Sequence, residues 1–186
     1  RSRGLGDVYK RQRQDRDLAL RAAQTDELTG TSNRRFVFAR LAAHAENVDK
    51  DIEPPFGVSI IDIDLFKGVN DRFGHQGGDA VLRDFVKLAH STIRRPDYFG
   101  RVGGEEFMLV MPRTGLEECA SIVGRILEKA AESRPFADHP EFSYSCSAGI
   151  ALYKAGEGSN ELYHRADRAL YLAKQNGRAR LEWIVN

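Results

Sequence analysis

The stretch Arg101-Val102-Gly103-Gly104-Glu105-Glu106-Phe107 constrains this chain more than any other. Tyr98 and Phe99 precede it, and Phe107-Met108-Leu109-Val110-Met111 continues from it. Two apolar runs joined by Gly-Gly predict a β-hairpin, because glycine can take the positive φ of a tight turn. The second strand opens on two adjacent carboxylates. Neighbouring side chains on a strand point to opposite faces, so Glu105 and Glu106 need not share a task. A polar hairpin tip is the plain reading of such a pair. A second acidic strand end upstream, Ile60-Ile61-Asp62-Ile63-Asp64, changes the balance. Two strand ends that both present carboxylates can hold a divalent metal between them.

At 186 residues the chain suits one domain with a short appendage. No apolar run approaches the length of a membrane span, and no apolar stretch follows the basic N-terminus as a secretory signal would require. Cys119 and Cys146 show no ligand spacing and sit in apolar surroundings, which predicts buried free thiols in a reducing cytosol. Charge is uneven. Arg1, Arg3, Lys10 and Arg11 against Asp7 give the first twelve residues +3, and removing that from the net +1 leaves −2 for the rest. Without the tail there is no bulk case for binding a nucleic-acid polymer. Residues 1–12 fit no structural pattern and resemble translated adapter sequence, so they are set aside from the fold.

Taken in order, residues 13–25 read as the end of a connector helix whose earlier part is missing. Turn residues fill Asp26 to Arg35. A helix is predicted from about Asn33 to about Val48, and Pro54-Pro55 stops anything helical. Phe56 to Ile63 is β-branched and largely apolar, which predicts a central strand. Lys67 to Phe73 reads as a short helix, Gly74 to Gly78 as an interruption, and Ala80 to Ile93 as a helix with Leu82, Phe85, Val86, Ala89 and Ile93 on one face. After the hairpin come a helix over Leu116 to Ala131, a loop over Pro135 to Pro140 and a strand within Phe142 to Tyr153. The last helix carries Leu162, Ala166, Ala169, Leu170 and Ala173 and ends at Asn176-Gly177. Ala179 to Val185 is expected as an edge strand. The order predicts an α+β fold, with helices on one face of a mostly antiparallel sheet.

Four stretches, Asp26 to Arg35, Asp62 to Asp79, Arg94 to Phe107 and Asp167 to Arg178, together make the chain resemble the GGDEF family. These are the diguanylate cyclases of bacterial signal transduction, which make cyclic di-GMP from two GTP. The resemblance spans almost all of residues 26–180. It implies a palm-like nucleotide cyclase fold, with a central mostly antiparallel sheet flanked by helices, over residues 26–186. It also implies two magnesium ions per active site, with manganese as an alternative, held by Asp62, Glu105 and the backbone carbonyl of Ile63. Hard oxygen donors on rigid strand ends suit that ion. Glu106 is implied in metal binding or in deprotonating the attacking 3′-hydroxyl. Asp64 is given at most a supporting role.

Leu65, Phe66 and Lys67 open a helix after the metal strand, and its N-terminus would hold a triphosphate. Lys174 and Arg178 match the family's other phosphate contacts. Asn70 and Asp79 match its guanine-reading pair. A carboxylate accepts from guanine N1–H and N2–H, whereas adenine would leave Asp79 facing a lone pair, which argues against an adenylate cyclase. Arg94 and Asp97 match the family's Arg-x-x-Asp inhibitory product site, and Arg125 would complete it. Two departures stand out: Thr31, where leucine is usual, is expected to loosen packing at the hinge, and Ala179 replaces the asparagine that commonly follows Gly-Arg. The implied partners are GTP, cyclic di-GMP as product and inhibitor, a second copy of the chain, and an upstream sensor or receiver domain. Such a domain is expected to be cytoplasmic and to make no membrane contact itself, although the full-length protein could be membrane-anchored. The alternative is a degenerate module that binds GTP or cyclic di-GMP without turnover.

Overall fold

The computed structural model describes residues 22–184. The adapter-like tail and most of the connector helix lie outside the described residues, and of the connector residues 22–25 are seen, 22–24 as helix and Thr25 in an isolated bridge to Ser32. Helix α1 spans Arg34–Asp49 and is capped by Asn33, whose side chain accepts from the Phe36 amide at 3.0 Å. Strand β1 spans Gly57–Ile63. Helix α2 spans Phe66–Thr92 and breaks at Gly74, where φ 70 and ψ 174 leave the helical region. The expected interruption is thus a single residue, and the second helix resumes at once. Strands β2 (Tyr98–Arg101) and β3 (Glu106–Met111) form the expected hairpin. Helix α3 (Leu116–Glu132), strand β4 (Cys146–Leu152), helix α4 (Ser159–Gln175) and strand β5 (Leu181–Trp183) complete the chain.

The sheet order is β2-β3-β1-β4-β5. All pairings are antiparallel except β4 with the edge strand β5, which is parallel. The expectation of helices on one face is corrected. β1 is buried along its whole length, because both faces are covered. Ile61, Ile63, Phe107, Leu109, Met111, Ala148 and Ile150 face α2 and α3. Val58, Ile60, Met108, Val110 and Ala151 face α1 and α4. The central strand is therefore apolar in both registers of its alternation, as a twice-covered strand must be. Phe99 and Phe107 stack at 5.3 Å between ring centres, and Phe85 meets Phe107 edge-on at 5.0 Å. These rings anchor the hairpin base in the core and leave its tip as the free end.

Cys119 and Cys146 are both free and buried, and burial pushes the Cys119 thiol up to about 12. Thr31 does not loosen the hinge. It is buried, its hydroxyl donates to the Phe99 carbonyl at 2.9 Å, and it lies 3.1 Å from His90 Nε2. A buried polar group with partners on both sides costs little.

Candidate active site

The two acidic strand ends meet. In the β1/β3 register Asp62 stands opposite Glu106, and the Ile63 amide donates to the Glu105 carbonyl at 3.2 Å. Asp62 is buried, while Glu105 and Glu106 are half-buried at the tip of the hairpin. Burial raises the Asp62 carboxyl from 3.8 to about 6, against the opposing pull of Lys174, and Glu105 and Glu106 push it the same way as burial. Lys174 Nζ sits 2.9 Å from Asp62 Oδ1.

The Gly-Gly turn works differently from the expectation. Neither Gly103 nor Gly104 has a positive φ. A Cβ on Gly103 would stand 2.6 Å from Glu106 Oε2, so this glycine makes room for a carboxylate. The turn is braced by Arg101, a residue that the motif reading passed over. Its guanidinium donates to the Gly103 carbonyl at 3.2 Å and from Nη2 to the Gly104 carbonyl at 2.7 Å. Its Nη1 also lies 3.2 Å from Asp26 Oδ1. Burial alone would raise the Asp26 carboxyl, but the Thr29 hydroxyl and amide, with Arg101, hold it below the usual range. Alternating polarity flags no such contact, because its partners lie on separate segments.

Asp64, expected to support the site at most, is a structural tie. Its carboxylate is buried and accepts from Ser145 Oγ and Ser147 Oγ, each at 2.7 Å, and from the Ala179 amide at 3.1 Å. It ties the end of β1 to β4 and to the turn that follows α4. The same-face spacing Asp62-x-Asp64, echoed by Ser145-x-Ser147, was the available signal.

Leu65 has φ 54 and ψ 30, and its side chain is 72 % exposed, so a leucine is held in the left-handed region at the mouth of α2. No side chain caps that helix start. Such strain in a bulky residue marks functional sites more often than idle surface. Lys67 is exposed in the first turn. Asn70 and Asp79 lie on either side of the Gly74 break. A Cβ on Gly78 would fall 2.0 Å from Asn70 Oδ1, so the bare backbone at Gly78 leaves room for the Asn70 amide. Asp79 and Asn70 are half-buried, and Arg83 approaches Asp79 only to 3.9 Å.

Lys174 ends α4, and Arg178 follows in a turn with φ values of 112, 61 and 50 at Gly177, Arg178 and Ala179. Left-handed alanine is unfavourable, whereas asparagine tolerates that region. Ala179 is exposed, so a longer side chain has room. Ala179→Asn is expected to raise stability by about 0.5–1 kcal/mol, a fraction of the left-handed penalty. Denaturant midpoints of the two proteins check this; a lowered midpoint would show that the turn is not strained at Ala179.

Arg94 and Asp97 come together away from the hairpin tip. The Arg94 amide donates to Asp97 Oδ2 at 3.1 Å, while the guanidinium turns to Glu118 at 2.6 Å and Thr114 at 2.8 Å. Asp97 Oδ1 is buried with no hydrogen-bond partner, and burial raises that carboxyl. Arg125 lines the same small cavity as Arg94, Glu118 and Ser121.

Among the described residues no three His, Cys, Asp or Glu side chains converge into a metal cage. That is compatible with magnesium, which takes one or two carboxylates and fills its shell with water and phosphate oxygens. Asp62, Glu105 and the Ile63 carbonyl fit that demand. The ammonium of Lys174 already rests on the Asp62 carboxylate, where positive charge is wanted.

The carboxylate-bearing ends of two neighbouring interior strands thus lie next to an uncapped helix start and basic side chains. The family described as "Diguanylate cyclase, GGDEF domain" matches residues 23–180. A diguanylate cyclase of Vibrio cholerae is 39% identical over 165 residues, which are 89% of this chain and 51% of that protein. The diguanylate cyclase DgcP of Pseudomonas aeruginosa is 39% identical over 161 residues, 86% of this chain and 24% of that protein. The chain thus spans about half or less of these relatives. Among solved structures, the coiled coil and GGDEF domain of DgcB from Caulobacter crescentus, in complex with c-di-GMP, superposes with a TM-score of 0.90 at 28% identity. It covers 97% of this chain and 96% of that one. The active GGEEF domain of a diguanylate cyclase from Vibrio cholerae gives 0.77 at 37% identity, over 83% and 97%. The chain belongs to the GGDEF domain family of the diguanylate cyclases. The five-stranded, helix-flanked sheet is that family's palm-like cyclase fold. Among the described residues no helix is long and apolar enough to cross a membrane.

Proposed function

We propose that this domain condenses two GTP into cyclic di-GMP and two pyrophosphates. The observation that carries the reading is Asp62 facing Glu106 across β1 and β3, with Glu105 beside them on the braced tip. Asp62, Glu105 and the Ile63 carbonyl would hold the magnesium. When bound, that metal polarises phosphoryl oxygens and lowers the cost of forming an alkoxide.

The chain's own groups do the rest. Asn70 and Asp79 read guanine, the amide offering donor and acceptor and the carboxylate accepting from N1–H and N2–H. The free amides at the start of α2, with Lys67, hold phosphate oxygens. Lys174 and Arg178 hold the leaving end of the triphosphate. Glu106 accepts the proton of the attacking 3′-hydroxyl. The 3′-oxygen bonds to the α-phosphorus of the second GTP, the bond from that phosphorus to the bridging oxygen breaks, and pyrophosphate leaves with the electron pair. A second, symmetric step closes the ring. Each site holds one nucleotide, so two copies of the chain must face one another, with a regulatory segment upstream bringing them together.

Incubating the protein, and a version fused to a dimerising coiled coil, with GTP and magnesium tests this. Cyclic di-GMP is expected. Binding of GTP without product from either version would favour the degenerate module instead.

We also assign Arg94, Asp97 and Arg125 to an inhibitory site for the product. The exposed Arg94, whose Nε stands 3.8 Å from the buried Asp97 Oδ1, suits a guanine edge, with arginine on O6 and N7. A bidentate contact of this kind contributes about 1–3 kcal/mol. Arg94→Ala is therefore expected to raise the product concentration for half-inhibition roughly tenfold or more. Titrating cyclic di-GMP at fixed GTP reads it; superimposable inhibition curves would return the pair to a surface ion pair.

A further inference from the structure

We infer that Lys174 is a resident counter-ion of Asp62, displaced when metal binds, so that metal alone binds weakly and metal with nucleotide binds well. The inference rests on the reading of Asp62 as a metal ligand given above.

Three observations carry it. Lys174 Nζ lies 2.9 Å from Asp62 Oδ1, and the Lys174 side chain is 34% exposed against 8% for Asp62. Among the described residues Lys174 is the only cation in ion-pair contact with Asp62, and it makes no ion pair with Glu105 or Glu106. Both partners are also held by rigid elements. Asp62 is on the central strand, hydrogen-bonded on both sides to β3 and β4. Lys174 is in the last turn of α4, a helix seated so closely on β4 that its backbone would lie 2.1 Å from a Cβ on Gly149.

A divalent ion and an ammonium compete for the same carboxylate: whichever oxygen the metal took, the two cations would stand within a few ångströms and repel one another. Metal entry must therefore move the ammonium, and the flexible four-carbon stem of a part-exposed lysine allows this. The displaced ammonium then needs an anion. Phosphate oxygens beside the metal supply one, and metal and nucleotide consequently favour each other's binding. Coupling of this kind is reciprocal. One residue thus opposes metal in the empty site and supports nucleotide in the filled one.

The test uses Mn2+ as the probe, titrated by electron paramagnetic resonance into the intact chain with and without a non-reacting GTP analogue. Lys174→Met is expected to bind Mn2+ alone about tenfold tighter than wild type, within the usual range of such couplings. It is also expected to lose most of the tightening that the analogue confers on wild type. Lys174→Arg keeps the charge and should keep weak binding of metal alone. Thermal melts confirm that each variant is folded. Equal or weaker Mn2+ binding by Lys174→Met overturns the proposal, even where the wild type makes cyclic di-GMP. A wild-type chain that takes no Mn2+ even with the analogue overturns the proposal and the metal assignment together.

Discussion

Asp62→Asn is expected to abolish turnover and, in the metal-free protein at neutral pH, to leave a more stable fold. The activity loss follows from removing a metal-binding charge. Losing about 4 kcal/mol of phosphoryl stabilisation is roughly a thousandfold in rate. The stability gain follows from proton linkage. The Asp62 carboxyl goes from 3.8 to about 6 on folding, chiefly through burial. Between those values the unfolded chain has released its proton and the folded chain has kept it. The unfolded state then binds fewer protons, so stability falls as pH rises through that window. Above it the full penalty applies, on the order of 3 kcal/mol for a shift of about two units. Asparagine is neutral throughout and avoids it. Lys174 loses its partner but is part-exposed and can hydrate, which reduces the expected net gain to about 1–2 kcal/mol. Urea melts in the presence of a chelator should show the gain at pH 7.5 and little of it at pH 4. Destabilisation of equal size at both pH values would make Asp62 a structural residue, and wild-type turnover would remove it from the site.

Elements that depend on local pattern were legible in the sequence, and contacts between distant segments were not. The hairpin, β1 and the break in α2 follow from apolar runs and glycines within a few residues of one another. The meeting of the two acidic strand ends was legible because Asp62 lies at the close of one apolar strand and Glu105-Glu106 at the opening of another. The double covering of the sheet was missed because a continuous apolar strand does not say which helix lies on which side, and the stripe of α1 is weak. The Gly-Gly turn was recognised for the wrong reason: its glycine yields space to Glu106 where positive φ was expected. Arg101 carried no local signal of a role, and Asp64 only the same-face spacing that marks it as supporting. Arg101 reaches Asp26 across 75 positions, and Asp64 reaches Ser145, Ser147 and Ala179 across 81, 83 and 115. These contacts set the carboxylates and the basic turn in place, and they exist only after the fold has brought the segments together. Thr31 shows the same point in reverse: read alone it was a packing defect, and with His90 and the Phe99 carbonyl it is satisfied.

The same distinction sets the second large effect, at a residue with no polar chemistry. A Cβ on Gly149 would stand 2.1 Å from the Ala166 carbonyl oxygen, 2.1 Å from the Leu170 nitrogen and 2.7 Å from the Ala169 carbonyl carbon. All three are backbone atoms of α4, so no rotamer change relieves the contact. Glycine in a strand interior ordinarily weakens it; here it lets a helix backbone lie directly on the sheet. Gly149→Ala is therefore expected to lower stability by about 3 kcal/mol, at the upper end of overpacking costs. The functional consequence follows from what α4 carries. Lys174 is in its last turn and Arg178 just beyond, and β4 fixes Asp62 through the Asp62–Ser147 pairing. A helix lifted off Gly149 moves the ammonium away from the carboxylate while leaving β1, β3 and the tip unchanged. The KM for GTP should then rise in the fraction that remains folded, measured below the melting transition. Calorimetry and GTP titration read the two effects separately. A Gly149→Ala protein as stable as wild type would show that α4 does not sit this closely on β4, and the placement of Lys174 over Asp62 would lose its structural basis.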